Sequence, residues 1–166
     1  MQNLLSTDGR VADDDWILLE KETPLQDAPA GDLIVPLALW RESRETLLGR
    51  DGRIGVLVYS DEQVEELDGQ LEGLSIIALD FPVFSDGRSY SNARILRERM
   101  HYRGELRAVG DVLRDQIFLM RRCGFDSFAL RADRPASLAT TALTDFRHAY
   151  QQATIDPGTP LLTRSD

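Results

Sequence analysis

Ile54-Gly55-Val56-Leu57-Val58-Tyr59 is the stretch that decides the fold. It is rich in β-formers, too short for a helix and apolar at both parities. Such a run reads as a strand covered on both faces, as strands of parallel sheets are. Outward from it, residues 61–71 place Val64, Leu67 and Leu71 at helical spacing, and residues 74–84 form a second apolar strand. The alternation continues with a helix over 89–100 (Ala93, Leu96, Met100), a strand over 105–109 and a helix over 111–122 (Leu113, Ile117, Met120). Gly124 suits a left-handed C-cap to that helix. A strand over 126–131 and a last helix over 137–151, with Leu138, Ala142, Phe146 and Tyr150 in line, complete the series.

Upstream, residues 32–49 pass from an apolar start into a helix carrying Leu37, Trp40, Leu47 and Leu48. Pro36 suits its first turn, and Gly49 and Gly52 suit its stop. Residues 1–30 read as an extended acidic lead-in with one edge strand at Trp16-Ile17-Leu18-Leu19, residues 31–152 as a single α/β domain, and residues 153–166 as a flexible tail. Strand-then-helix units joined by short loops imply right-handed crossovers and a parallel sheet. The expected fold is therefore α/β, a partial (β/α) barrel built of successive βα units. An open doubly wound sheet is the alternative.

The chain has 166 residues, 42% of them apolar, enough for one core without disulfides or a structural metal. Basic residues number 19 against 28 acidic ones, a net charge of −9, and Lys21 is the only lysine. This balance disfavours nucleic acid and anionic membranes as partners, since both are bound through clustered cations. The lone Cys123 excludes an internal disulfide and a four-thiolate cluster, and His101 and His148 lack metal-ligand spacing, so no metal is expected. No secretory start and no membrane-length apolar run is present, which predicts a soluble cytoplasmic protein. The open edges of a partial barrel need cover, from the lead-in or from a second copy in a homodimer.

The charge is unevenly spread. Residues 84–131 hold ten arginines and six acids, net +4, and the remainder carries −13. Parallel sheets bind ligands in the loops at the carboxyl ends of their strands. One such loop is Phe81-Pro82-Val83-Phe84-Ser85-Asp86-Gly87-Arg88-Ser89-Tyr90-Ser91. Asp86-Gly87 offers a tight turn, Arg88 a planar cationic fork, and Tyr90 and Ser91 hydroxyls beside a helix start. The plainer alternative has Asp86 or Ser89 only capping the helix and Arg88 only pairing with Asp86. Arg94 and Arg97 lie on the same helical side, although Glu98 at i+4 could consume Arg94. Asp111 is either an N-cap or an acid turned toward the neighbouring loop. Arg107, if inward on its strand, would need a partner such as Glu105.

The expected anion-binding set is thus Arg88, Ser91, Arg94, Arg97 and Arg107, and the acid–base candidates are Asp86, Tyr90 and Asp111. Cys123 reads as a buried, inert thiol. No P-loop, dinucleotide fingerprint, nucleophile elbow or His-Glu-x-x-His motif occurs.

The Phe81 to Ser91 stretch, with Ala93-Arg94 and Leu96-Arg97, resembles a bacterial family of unknown function whose genes accompany assimilatory sulfite reductase. The similarity continues through Tyr102-x-Gly104-Glu105-Leu106-Arg107-Ala108-Val109-Gly110-Asp111-Val112-Leu113-Arg114-Asp115-Gln116 and Arg121-Arg122-Cys123-Gly124-Phe125-Asp126, and more loosely over about residues 30–151. Members are described as probable oxidoreductases involved in sulfite reduction. The resemblance therefore implies a place in sulfur assimilation and cysteine biosynthesis, and assigns no catalytic residue.

Reduction of sulfite to sulfide uses sirohaem coupled to an iron–sulfur cluster, which one cysteine cannot hold. The expected function is an accessory protein that binds a sulfite-like oxyanion or assists electron delivery, with sulfite reductase or another sulfur-assimilation enzyme as partner. The alternatives are an independent flavin- or nicotinamide-dependent oxidoreductase, and a non-catalytic module whose basic stripe docks on an acidic reductase surface.

Overall fold

In the computed structural model, which describes residues 3–130, the parallel runs stand side by side in the order in which they occur in the chain. The strands are β1 (Asn3–Ser6), β2 (Val11–Ala12), β3 (Ile17–Leu18), β4 (Leu33–Pro36), β5 (Ile54–Val58), β6 (Leu74–Phe81), β7 (Glu105–Gly110) and β8 (Ser127–Leu130). They form one eight-stranded sheet in the order β2-β1-β8-β7-β6-β5-β4-β3. From β3 to β8 every pairing is parallel, whereas β1 pairs antiparallel with both β2 and β8. A doubly wound sheet reverses its strand order at a switch point. No reversal occurs between β3 and β8, so the sheet is the partial barrel and not the doubly wound alternative.

The chain itself requires the curl. β2 and β3 stand at opposite ends of the sheet, yet only residues 13–16 join them. Laid flat, seven strand spacings would separate them by roughly 34 Å, and five residue steps reach at most about 18 Å. The sheet therefore closes into a half-barrel.

Among the described residues three helices, α1 (Leu37–Leu48), α2 (Arg88–Arg94) and α3 (Ile117–Cys123), cover the outer face. Their apolar residues Trp40, Leu47, Ala93, Ile117 and Met120, with Leu96 just beyond α2, share one core with Val35, Val56, Leu79, Leu106 and Phe128 of the strands. Burying each large side chain there contributes roughly 1.5–3 kcal/mol. The opposite parity faces inward: Ile34, Leu57, Ile76, Ala78, Val109 and Ala129 form a second, smaller cluster, with Trp16 and Tyr59 packed on it.

Several local elements differ from the sequence pattern. The lead-in contributes β1 and β2 as well as the expected edge strand β3, so it supplies both edges of the sheet. The apolar start at residue 32 is β4, and Pro36 ends that strand instead of opening the helix. Residues 61–71 form only a 3₁₀ turn, Val64–Leu67, because two buried residues three apart suit an i, i+3 repeat and Gly69 follows at φ 70°. β6 stops at Phe81, since Pro82 has no N–H to continue the ladder. In the segment 111–122, a 3₁₀ turn at Arg114–Gln116 precedes α3, and Gly124 caps α3 in the left-handed conformation at φ 108°. The expected helix over 137–151, the loop at 131–135, His148 and the tail lie outside the described residues. Among the described residues no helix is long and apolar enough to cross a membrane.

Candidate functional site

The carboxyl ends of β5, β6 and β7 open into Ser60-Asp61, residues 82–87 and Gly110-Asp111. Asp86 and Arg88 meet there: Arg88 donates from Nε and Nη2 to the two carboxylate oxygens at 3.0 and 2.6 Å, and its backbone N–H reaches Oδ1 at 3.1 Å. These bonds, the side-chain pair above all, hold the Asp86 carboxyl well below the usual carboxylate range. Arg88 Nη2 also donates to Ser60 Oγ at 3.2 Å, linking two strand ends, while the side chain stays 61% exposed.

Asp111 turns toward this loop. Its backbone N–H donates to the Phe81 carbonyl at 2.7 Å, and its Oδ2 accepts the Phe84 N–H at 3.1 Å. Gln116 Nε2 donates to the Phe84 carbonyl at 2.6 Å. Both backbone groups of Phe84 are thus fixed by side chains, yet Phe84 is 60% exposed and its neighbour Val83 51% exposed.

The other predicted residues occupy different places. Tyr90 packs edge-on against Phe81, ring centroids 5.2 Å apart, and burial pushes its phenol up to about 12. Ser91 is exposed on α2, and Arg94 pairs with Glu98 at 3.4 Å in the i, i+4 manner. Arg97 donates to the carbonyls of Gly124, Tyr102 and Gly104 at 3.0, 2.7 and 2.9 Å and to the Asp126 carboxylate. Those partners precede β7 and β8, so Arg97 serves the amino ends of the strands. Arg107 faces inward, as the alternation on β7 predicts. It is held by Glu105 at 2.9 and 3.1 Å, by Ser127 Oγ at 3.2 Å and by Asp14 at 2.7 Å. Of the five anion-binding candidates, Arg88 lies at the carboxyl end, Ser91 and Arg94 on the outer surface of α2, and Arg97 and Arg107 toward the amino end. Asp86 and Arg88 pair, and Asp111 holds the backbone of the same loop.

Three residues outside the predicted set join them. Asp80 occupies the last inward position of β6, and the β5–β6 register, Val58 opposite Leu79, sets Tyr59 beside it. Burial first, then the charges of Asp86 and Asp61, raise the Asp80 carboxyl above its usual value. The Tyr59 phenol is raised by burial and by Asp80. Lys21 Nζ lies 4.8 Å from the centre of the Tyr59 ring. Gly110, at φ 93°, makes room: a Cβ there would stand 2.5 Å from the Phe81 carbonyl oxygen and 2.7 Å from Asp80 Oδ1. The sequence signal for Asp80 is parity, because Ile76, Ala78 and Asp80 alternate inward and the acid falls at the strand's carboxyl end, where parallel barrels carry chemistry. Among the described residues no three His, Cys, Asp or Glu side chains gather as metal ligands, and burial raises the Cys123 thiol.

A family model described as bacterial protein of unknown function (DUF934) matches residues 55–161, well over half of the chain, and the chain belongs to that family. No curated protein matches it.

Proposed function

We propose that this DUF934 protein is a cytoplasmic accessory component of assimilatory sulfite reduction that docks on sulfite reductase, or on another enzyme of sulfur assimilation, through the carboxyl end of its half-barrel. The resemblance of its central motif to proteins encoded beside the reductase supplies the partner. The observation that carries the docking face is Phe84, 60% exposed on a backbone pinned by Asp111 and Gln116. An aromatic anchor held rigid before binding loses little conformational freedom when it enters a partner's pocket.

A sulfite-like oxyanion would meet Arg88 at the carboxyl end or Arg94 on the outer surface of α2. These pair with Asp86 and Glu98 but keep 61% and 50% of their side chains exposed, whereas Arg97 and Arg107 are buried among carbonyls and carboxylates. Purified chain and purified reductase should form a complex in light scattering, which also reports any homodimer of the chain alone. Sulfite, sulfate and phosphate titrations with Arg88→Ala and Arg94→Ala test the anion. Absence of the complex removes the docking function, and anion binding unchanged in both variants removes the oxyanion role.

Asp80 favours a second reading, an independent oxidoreductase using a flavin or nicotinamide. It sets a carboxyl with a raised proton affinity beside the Tyr59 phenol, where a proton could be given or taken. Visible absorbance and flavin fluorescence of the purified protein, with nicotinamide titrations followed by fluorescence, test this reading; silence in all three removes it.

A further inference from the structure

On the outer surface, away from the carboxyl-end loops, a groove of about 140 Å³ runs between the 3₁₀ turn Val64–Leu67 and a π turn, Ile95–Arg99, that continues α2. It is lined by Glu65, Asp68, Ile95, Arg99 and Met100. The Met100 N–H donates to the Ile95 carbonyl at 3.0 Å, five residues back. In an α-helix those two side chains would diverge by about 140°. The wider π turn brings them nearly in line, so both form the apolar floor of the groove and pack on the main core. His101 follows directly at φ 54°, a conformation that L residues seldom hold.

Three charges stand over this floor. Arg99 Nη1 and Glu65 Oε1 are 3.5 Å apart, a loose pair with both side chains well exposed. The Asp68 carboxylate makes no hydrogen bond or ion pair among the described residues. The same π turn also aims Arg97 at its carbonyls, so the turn alone indicates no ligand. What does is the juxtaposition of two carboxylates, one guanidinium and an apolar floor in a groove with room for roughly four or five waters.

We propose that this groove binds a small zwitterion of the α-amino-acid class: the ammonium between Glu65 and Asp68, the carboxylate on Arg99, and a short aliphatic side chain on Ile95 and Met100. This site is independent of the proposed docking face. The test is a titration of the ¹⁵N-labelled full chain with L-norvaline, butylamine and pentanoate, followed by amide chemical shifts. L-Norvaline should give saturable shifts confined to residues 65–68 and 95–100. Each analogue, lacking one charge, should bind about tenfold more weakly or worse. Asp68→Asn should weaken L-norvaline by a similar factor in a protein whose remaining spectrum is unchanged, and Glu72→Gln, outside the groove, should have no effect. Absence of saturation, shifts elsewhere, butylamine binding as well as L-norvaline, or an unaffected Asp68→Asn variant would each overturn the proposal.

Discussion

Asp14 and Arg107, 93 positions apart in the chain, meet at 2.7 Å inside the half-barrel, with side chains 13% and 3% exposed. The contact fastens the short connector between the two sheet edges to the inner face of β7. Removing one partner of a buried pair leaves the other charge uncompensated, at about 3–5 kcal/mol. Glu105 and Ser127 still hold Arg107, so Asp14→Ala should cost about 2 kcal/mol, read as a lower urea midpoint at unchanged slope. The exposed neighbours Asp13 and Asp15 should tolerate alanine within about 0.5 kcal/mol. Equal effects at all three positions would mean that the connector's overall charge, not the Asp14 contact, matters.

Arg97 joins the end of α2 to the backbone leading into β7 and β8 through three carbonyls and Asp126, and only 11% of its side chain is exposed. Arg97→Ala orphans those acceptors and should destabilise by about 3 kcal/mol. Arg97→Lys should recover little of it, because a single ammonium cannot span a fork-shaped set of acceptors. A lysine variant of normal stability that had lost sulfite binding would reassign the residue to the anion.

Asp80 should make stability depend on pH in a direction opposite to most carboxylates. Its folded-state affinity for a proton is raised above the ordinary value of 3.8. The native state therefore holds the proton more tightly than the unfolded chain does, and stability falls as pH rises from about 3.8 through the folded value. Asp80→Asn removes this cost, so its urea midpoint should exceed the wild-type midpoint at pH 7, with the difference closing toward pH 4. Asp86 has the reverse sign: its lowered value lends stability above the ordinary carboxylate range that is lost as pH falls through the folded value. A variant less stable than wild type at pH 7 would mean that the ionised Asp80 carboxylate supports the fold.

The parts of this fold that were legible in the sequence are those whose cause is local. β5 and most of β6 are apolar at both parities, which is what double-sided cover requires, and β7, apolar on its outer parity, is bracketed by Gly104 and Gly110. β1 and β2 are only four and two residues long, and β1 earns its place by pairing with β8 at the far end of the described chain. β4 is hidden because Leu33-Ile34-Val35-Pro36 runs directly into the apolar spacing of α1. At the site, Asp86, Arg88 and Asp111 are visible because they follow strand ends, whereas Asp80 is submerged in the apolar run that contains it. Arg97 illustrates the limit: its partners are mostly carbonyls, which every residue has and no side-chain pattern announces.

Phe84 separates stability from docking. At 60% exposure its ring contributes little to the core, so Phe84→Ala should change unfolding free energy by less than about 1 kcal/mol. Aromatic anchors of interfaces typically cost 2 kcal/mol or more on truncation, so the same change should weaken binding to the reductase at least about thirtyfold. Gln116→Ala leaves the ring in place and removes the donor to its carbonyl, freeing the loop. That substitution should weaken binding by a smaller factor, through the cost of ordering the loop on association. Surface plasmon resonance of wild type and both variants against immobilised reductase, with melting curves alongside, measures each effect. Phe84→Ala with wild-type affinity would move the docking face elsewhere on the molecule, and a large loss of stability would make the ring a structural residue.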